Sequence, residues 1–188
     1  MGVSDRVVDL IGDNVDCVLR GGEINDQSLI ARHVGDLHIG VYVAPSYLER
    51  LGAPAHPREL ENTDHRIVGF LSSRTGKIDP LVLRSESEHI DITGSYILAV
   101  DDGNAYLEAG LAGLGVIALP VYMAEAHQAC GSLIRLFEHW RIKPMPLYLA
   151  FPPNRHVNAR LRVFIDWIVE LMQQHVPNSN NKSLPPRP

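Results

Sequence analysis

Short apolar runs rich in β-branched residues alternate along most of this chain with segments whose apolar residues recur every three or four positions. The first pattern is typical of buried strands and the second of amphipathic helices. Strands alternating with helices predict an α/β fold with a largely parallel sheet. The predicted strands cover residues 17–19, 29–34, 38–44, 67–71, 81–84, 96–100, 116–119 and 147–151, and the predicted helices cover residues 5–11, 46–51, 104–114, 122–129 and 157–172.

Residues 67–98 depart from this alternation because they contain several strand patterns and little helical pattern. Turn-forming pairs lie at Thr75-Gly76 and at Thr93-Gly94. Closely spaced strands joined by turns pair with their neighbours in the antiparallel sense. We therefore expect a local antiparallel excursion in this part of the chain.

Two interruptions rich in proline, at residues 52–57 and 144–146, divide the chain into two lobes. We expect residues 1–41 to form the first part of lobe I, residues 42–147 to form lobe II, and residues 148–176 to return to lobe I and end in a helix. The two strands that connect the lobes, near residues 41 and 148, then form a hinge between them. Residues 177–188 contain a single aliphatic residue and no aromatic one, so they cannot offset the entropy of ordering, and we expect a disordered tail.

Charge and cysteine content exclude several classes of protein. The chain carries 17 Lys and Arg against 22 Asp and Glu, a net charge of −5, which argues against a free-standing nucleic-acid-binding module. Its two cysteines, Cys17 and Cys130, form no Cys-x-x-Cys pair, so we expect buried free thiols in a reducing compartment. No apolar stretch approaches the roughly 18 residues of a membrane span, and acidic residues stand where a signal peptide needs an apolar run. The sequence predicts a cytoplasmic protein without a membrane partner.

No spacing in the chain indicates an enzyme, a metal site or a cofactor. The nine histidines show no metal-ligand spacing, and no Gly-x-Ser-x-Gly elbow is present. The glycines Gly110, Gly113 and Gly115 follow a helical pattern instead of opening one, so we interpret the first two as close packing and Gly115 as a left-handed helix cap. Asp101 and Asp102 precede a predicted helix, where capping explains an aspartate better than catalysis does.

The segment Arg20-Gly21-Gly22-Glu23 ends an apolar strand and leaves two interpretations open. Its guanidinium and free backbone NH groups could bind a carboxylate ligand. An ordinary loop with a salt-bridged arginine is the alternative.

Seven segments in collinear order, together with Trp140, resemble the effector-binding domain of LysR-type transcriptional regulators over about residues 3–172. Single segments are loose matches, whereas the ordered set is specific. The segments are SDRVVDLI (4–11), VDCVLRGGE (15–23), LIARHVG (29–35), YVAPSYL (42–48), VDDGNAYLEAGLAGLGVIALP (100–120), GSLIRLF (131–137) and PLYLAFP (146–152).

This resemblance implies a periplasmic-binding-protein-like fold of type 2, in which two α/β lobes are joined by two crossing strands and a small-molecule effector binds in the cleft between them. Family members also carry an N-terminal winged helix-turn-helix that binds DNA and a linker helix that dimerises, and the likeness covers neither. It begins inside the second strand of the family's first lobe, so we expect lobe I of this chain to lack its first strand and helix. The full-length regulator is expected to be a homodimer or tetramer that contacts DNA only through its N-terminal domain.

The resemblance also places the effector contacts. It implies a sensing domain that binds a small-molecule effector and has no catalytic activity. A small anionic effector would suit Arg20 and a helix N-terminus electrostatically. A free-standing solute-binding protein of the same fold is the alternative, and an enzyme of related architecture is a third possibility. The residues implied to bind the effector are Ser4, Asp5, Arg20, Gly21, Leu71, Ser72, Asp102, Gly103, Pro120 and Tyr122.

Overall fold

The computed structural model describes residues 15–24, 26, 28–62, 64–72, 75–153 and 159–175. The predicted helix at residues 5–11 and the predicted tail lie outside the described residues. In chain order the strands are β1 (Val18–Gly21), β2 (Ile30–Leu37), β3 (Ile39–Val43), β4 (Ile67–Phe70), β5 (Leu81–Arg84), β6 (His89–Ile92), β7 (Tyr96–Val100), β8 (Ile117–Pro120), β9 (Ile134–Leu136) and β10 (Met145–Phe151). The helices are α1 (Pro45–Leu51), α2 (Glu59–Asn62), α3 (Gly103–Leu111), α4 (Val121–Ala129) and α5 (Ala159–His175).

The described residues divide into two compact units. Unit 1 comprises residues 38–144, and unit 2 comprises residues 15–37 together with residues 145–175. Within the described residues the chain therefore passes from one unit to the other at two positions, after Leu37 and before Met145. These two residues are themselves partners in the register of β2 and β10.

Unit 2 is a three-stranded antiparallel sheet in the order β1-β10-β2, covered by helix α5. Every second residue of β10 faces this helix, and the apolar residues of α5 recur at three- and four-residue steps, which gives one buried face on each element. The buried residues of this core are Val34, Leu147, Leu149, Phe151, Leu161, Ile165 and Ile168.

Unit 1 contains an antiparallel sheet in the order β8-β3-β9, a parallel pair β4-β7 and an antiparallel hairpin β5-β6. Two backbone hydrogen bonds, from Val68 N to Val116 O at 3.0 Å and from Val116 N to Arg66 O at 2.8 Å, connect β4 to the residue before β8. Strand β3 separates two apolar cores because alternate residues face opposite sides. Val41 and Val43 pack with α1 and the hairpin, whereas Tyr42 packs with α3 and α4.

The prediction of a largely parallel sheet is wrong for the described strands. Only β4 and β7, together with the Ile67–Val116 bridge, pair in the parallel sense, and the other ladders are antiparallel. A helical crossover sets only the strands that it connects in the same direction: α3 connects β7 and β8, and both run parallel to β4. Strand β10 instead meets β2, which lies far from it in sequence. The expected antiparallel excursion is confirmed by the β5-β6 hairpin.

The cap of helix α3 also differs from the prediction. The helix ends at Leu111, the cap residue is Ala112, and Gly113 adopts a positive φ of 70°. Gly115 does not have a positive φ and is instead required for close packing, since a Cβ there would lie 2.9 Å from the carbonyl oxygen of Arg66. Strands β6 and β9 and the short helix α2 were not predicted. Across the described residues no helix has both the length and the apolar character needed to cross a membrane.

Candidate ligand-binding site

Three strands of unit 1 end at a common edge. The Leu71 amide donates to the carbonyl oxygen of Val100 at 2.7 Å, so β4 and β7 finish side by side. Strand β8 runs parallel to β4 from the Ile67–Val116 bridge onward and finishes at the same edge. In α/β proteins, ligands bind beyond the carboxyl ends of parallel strands. Six of the predicted residues lie at or just after these three strand ends: Leu71, Ser72, Asp102, Gly103, Pro120 and Tyr122.

Two helices begin at this edge. Asp102 is the N-cap of α3, with its Oδ1 accepting a hydrogen bond from the Ala105 amide at 2.8 Å, which confirms the predicted capping role. Helix α4 begins directly after Pro120, where the Val121 amide donates to the carbonyl oxygen of His38 at 2.8 Å. The first turn of neither helix contains an acidic residue. Helix N-termini carry partial positive charge, so this edge favours negatively charged groups.

Two further features lie at this edge. The Ser72 carbonyl accepts from the amides of Thr75 at 3.2 Å and Gly76 at 2.8 Å, and the Ser72 amide donates to Lys77 O at 2.9 Å, so backbone hydrogen bonds hold Ser72 against residues 75–77. Tyr122, in the first turn of α4, is 60% exposed. The edge therefore combines a hydrogen-bonded Ser72 backbone with an accessible aromatic ring.

Sequence reasoning did not identify Tyr106, which lies one helical turn after Asp102 on the buried face of α3. Its hydroxyl accepts a hydrogen bond from the Ala118 amide of β8 at 3.0 Å. Its ring meets the ring of Phe70, the last residue of β4, edge to face with centroids 5.4 Å apart. Burial raises the pKa of Tyr106 to about 12. The available sequence signal was its spacing from Ala109 and Gly110, three and four residues later, which places all three on one face of the helix.

Arg20 and Gly21 belong to unit 2, where they end β1 and pair with Tyr148 and Leu147 of β10. Gly22 follows with a φ of 86° and donates its amide to Pro146 O at 2.8 Å, so the strand ends in a turn that glycine favours. The Arg20 side chain is half-buried, and no ion pair links it to any residue that the structure describes. Ser4 and Asp5 lie outside the described residues.

The two cysteines have different surroundings. Cys17 is half-buried, and burial, followed by the charge of Asp16, raises the pKa of its thiol. Cys130 is exposed, so the prediction of a buried thiol is wrong for this residue. The Ser132 hydroxyl lies 3.1 Å from Cys130 Sγ, and hydrogen bonding by Ser132 lowers the pKa of the thiol. Within the described ranges, no group of His, Cys, Asp and Glu side chains is arranged to hold a metal ion.

Comparison with known proteins shows one family. The family model of the LysR substrate binding domain matches residues 1–173. The uncharacterized HTH-type transcriptional regulator YhjC of Escherichia coli is 33% identical over 174 residues, which are 92% of this chain and 57% of that protein. An HTH-type transcriptional repressor of Pseudomonas aeruginosa is 28% identical over 172 residues, 92% of this chain and 54% of the repressor. The chain thus spans about half the length of these curated relatives.

Solved structures agree with the family model. The regulatory domain of CrgA, a LysR-type transcriptional regulator from Neisseria meningitidis, is 30% identical, with a TM-score of 0.75 over 87% of this chain and 78% of that domain. The predicted periplasmic-binding-protein-like fold of type 2 is confirmed by this likeness. Since the family model covers most of its length, this chain belongs to the LysR substrate-binding domain family.

Proposed function

We propose that this chain is the effector-sensing part of a LysR-type transcriptional regulator and that it binds a small anionic molecule. Family membership supports the sensing role, and the matched relatives are transcriptional regulators rather than enzymes or solute-binding proteins. In the full-length regulator, the bound effector controls DNA binding or the activation of transcription. DNA is contacted through an N-terminal domain, in a homodimer or tetramer in the cytoplasm.

One observation supports the anionic character of the effector. Helices α3 and α4 both begin at the edge where β4, β7 and β8 end, and neither has an acidic residue in its first turn. The partial positive charge at the start of each helix favours the negative charge of a carboxylate. The exposed ring of Tyr122 adds an apolar surface for an aromatic or aliphatic body.

Arg20 is a second proposed contact of the effector, and it carries a positive charge. Arg20 is half-buried, and its guanidinium is not engaged in an ion pair with any described residue. A guanidinium in this state can form a charge-assisted hydrogen bond with a carboxylate, and such bonds are stronger than neutral ones.

A panel of small carboxylates, including acetate, succinate and benzoate, tests this function by thermal denaturation of the purified chain. A ligand bound only by the folded state stabilises it by about 2.7 kcal/mol at a hundredfold excess over its dissociation constant. We expect Arg20→Ala to remove most of this stabilisation and to leave the unliganded protein unchanged.

Arg32→Ala is the matched control, since Arg32 is an exposed arginine on β2 of the same unit. It should retain the full response. If no carboxylate stabilises the wild-type chain, the anionic effector is excluded. If Arg20→Ala destabilises the free protein and keeps the response, Arg20 belongs to the scaffold instead.

A further inference from the structure

The parallel contact between β4 and β8 stops after its first residues. Val116 N bonds to Arg66 O, and Val68 N bonds to Val116 O. In a parallel ladder every second residue continues this pattern, so the Ala118 amide should bond to the backbone of β4. It bonds to the hydroxyl of Tyr106 instead, at 3.0 Å. A side chain of α3 thus takes the place of a β4 backbone acceptor.

At the end of β4, the backbone of residues 78 and 79 pairs with the strand instead of β8. The Asp79 amide donates to Phe70 O at 3.1 Å, and Leu71 and Ile78 form an isolated antiparallel bridge. Strands β4 and β8 therefore finish without hydrogen bonds to each other, although both end at the edge that carries the candidate ligand residues. The ends of β4 and β8 are therefore fixed relative to each other by interactions other than a backbone ladder.

Tyr106 makes that connection. It is only 6% exposed, and it belongs to α3, whose N-terminus contributes Asp102 and Gly103. Its ring packs on Phe70, directly before Leu71 and Ser72, and its hydroxyl holds Ala118, two residues before Pro120. Tyr106 thus connects its own helix, α3, to β4 and to β8. The ends of these three elements supply candidate contacts of unit 1.

We propose that Tyr106 is a positioning residue of the effector site, fixing the ends of β4 and β8 relative to the start of α3 through its hydroxyl. This inference rests on the proposed function, because the segments it positions are those assigned to the effector. It assigns Tyr106 no contact with the effector itself.

Tyr106→Phe tests the hydroxyl alone, because phenylalanine keeps the ring that packs on Phe70. Amide hydrogen exchange of the 188-residue chain, followed by NMR, reports on one hydrogen-bonded amide in each positioned segment: Leu71, Ala105 and Val121. We expect these three amides to exchange at least ten times faster in the variant. The amides of Gly52, bonded to Leu48 O, and of Arg84, bonded to Arg141 O, lie elsewhere in unit 1 and should be unchanged.

Tyr42→Phe is the matched control, because Tyr42 is a buried tyrosine of the same apolar core whose hydroxyl has no partner among the described residues. It should not accelerate the exchange of any of the three amides. Faster exchange of Ala118 alone, or a uniform acceleration that includes Gly52 and Arg84, would show that Tyr106 only supports the fold and would overturn the proposal.

A binding measurement separates this proposal from the proposed function. With the carboxylate of the panel that stabilises the wild type most, Tyr106→Phe should weaken the apparent affinity at least tenfold. An unchanged affinity overturns the positioning role. If no carboxylate binds the wild type, the proposed function fails, whereas the exchange rates still decide whether Tyr106 fixes the three segments.

Discussion

Two buried tyrosines of the same core differ in what their hydroxyls do. The Tyr106 hydroxyl accepts from a backbone amide, whereas the Tyr42 hydroxyl is buried with no hydrogen-bond partner among the described residues. It lies against Gly40, whose missing side chain leaves space for it. Burying a polar group without a partner costs free energy. The buried Tyr42 hydroxyl therefore lowers the free energy of unfolding.

Tyr42→Phe should raise the free energy of unfolding by about 1 kcal/mol, because it removes the unpaired hydroxyl and retains the ring. Urea denaturation followed by circular dichroism measures the change. Tyr106→Phe should shift the midpoint in the opposite direction, since it leaves the Ala118 amide unpaired. A Tyr42→Phe variant less stable than the wild type would indicate a partner for the hydroxyl and contradict this account.

Capping at Asp102 was predictable from the sequence, whereas the contrast between the two tyrosines was not. An aspartate immediately before a helical pattern acts on amides two or three residues away, so its role is local. The partner of Tyr106 lies twelve residues further along and depends on where β4 and β8 diverge. The exposure of Cys130 likewise depends on tertiary packing. Site residues whose roles are local could be read from the sequence, and those defined by distant partners could not.

At the scale of elements, strands with strong apolar patterns were predicted well and strand direction was not. Strands β5 and β7 have the predicted bounds, since each is an apolar run between turns. Strand β6 alternates polar and apolar residues over only four positions, and β9 has three residues, so both patterns are too short to identify. Direction depends on pairing partners, and for β10 the partner is β2, more than a hundred residues earlier.

A substitution at the N-cap of α3 tests the electrostatics of the edge at which β4, β7 and β8 end. Asp102→Asn should preserve the cap, because asparagine accepts a hydrogen bond from the Ala105 amide about as well as aspartate does. Stability should therefore change little. The substitution removes a negative charge beside the N-terminus of α3, and an anionic ligand should bind more tightly for that reason.

Thermal shift titration with the carboxylate panel measures this effect, and we expect a few-fold increase in apparent affinity for Asp102→Asn. Asp91→Asn serves as the control, since Asp91 is an exposed aspartate on β6 of the same unit. An equal increase in both variants would point to net charge alone, and a decrease for Asp102→Asn would show that the carboxylate itself contacts the ligand.

The two units of the molecule differ in how the chain builds them. Both apolar cores of unit 1 are drawn entirely from residues 38–144, a continuous segment. The core of unit 2 combines Val34 with residues 147–168, so it forms only when segments far apart in sequence meet. Unit 1 also pairs distant strands, since β3 meets β9, but all of its strands lie within the one segment. Each unit pays the entropy of closing a long loop, and only unit 2 needs two separate segments.

A fragment of residues 38–144 should therefore fold on its own, because it contains all of β3–β9 and α1–α4 with both of their cores. We expect a sigmoidal urea transition and amide resonances of Leu71, Ala105 and Val121 close to those of the whole chain. A peptide of residues 15–37 is the comparison, and it should remain unstructured because β1 and β2 both pair with β10 rather than with each other. Collapsed NMR dispersion in the fragment would show that unit 1 needs residues outside 38–144 to fold. In that case the candidate edge would also depend on those residues, and the variants at Tyr106 and Asp102 would have to be interpreted in the whole chain only.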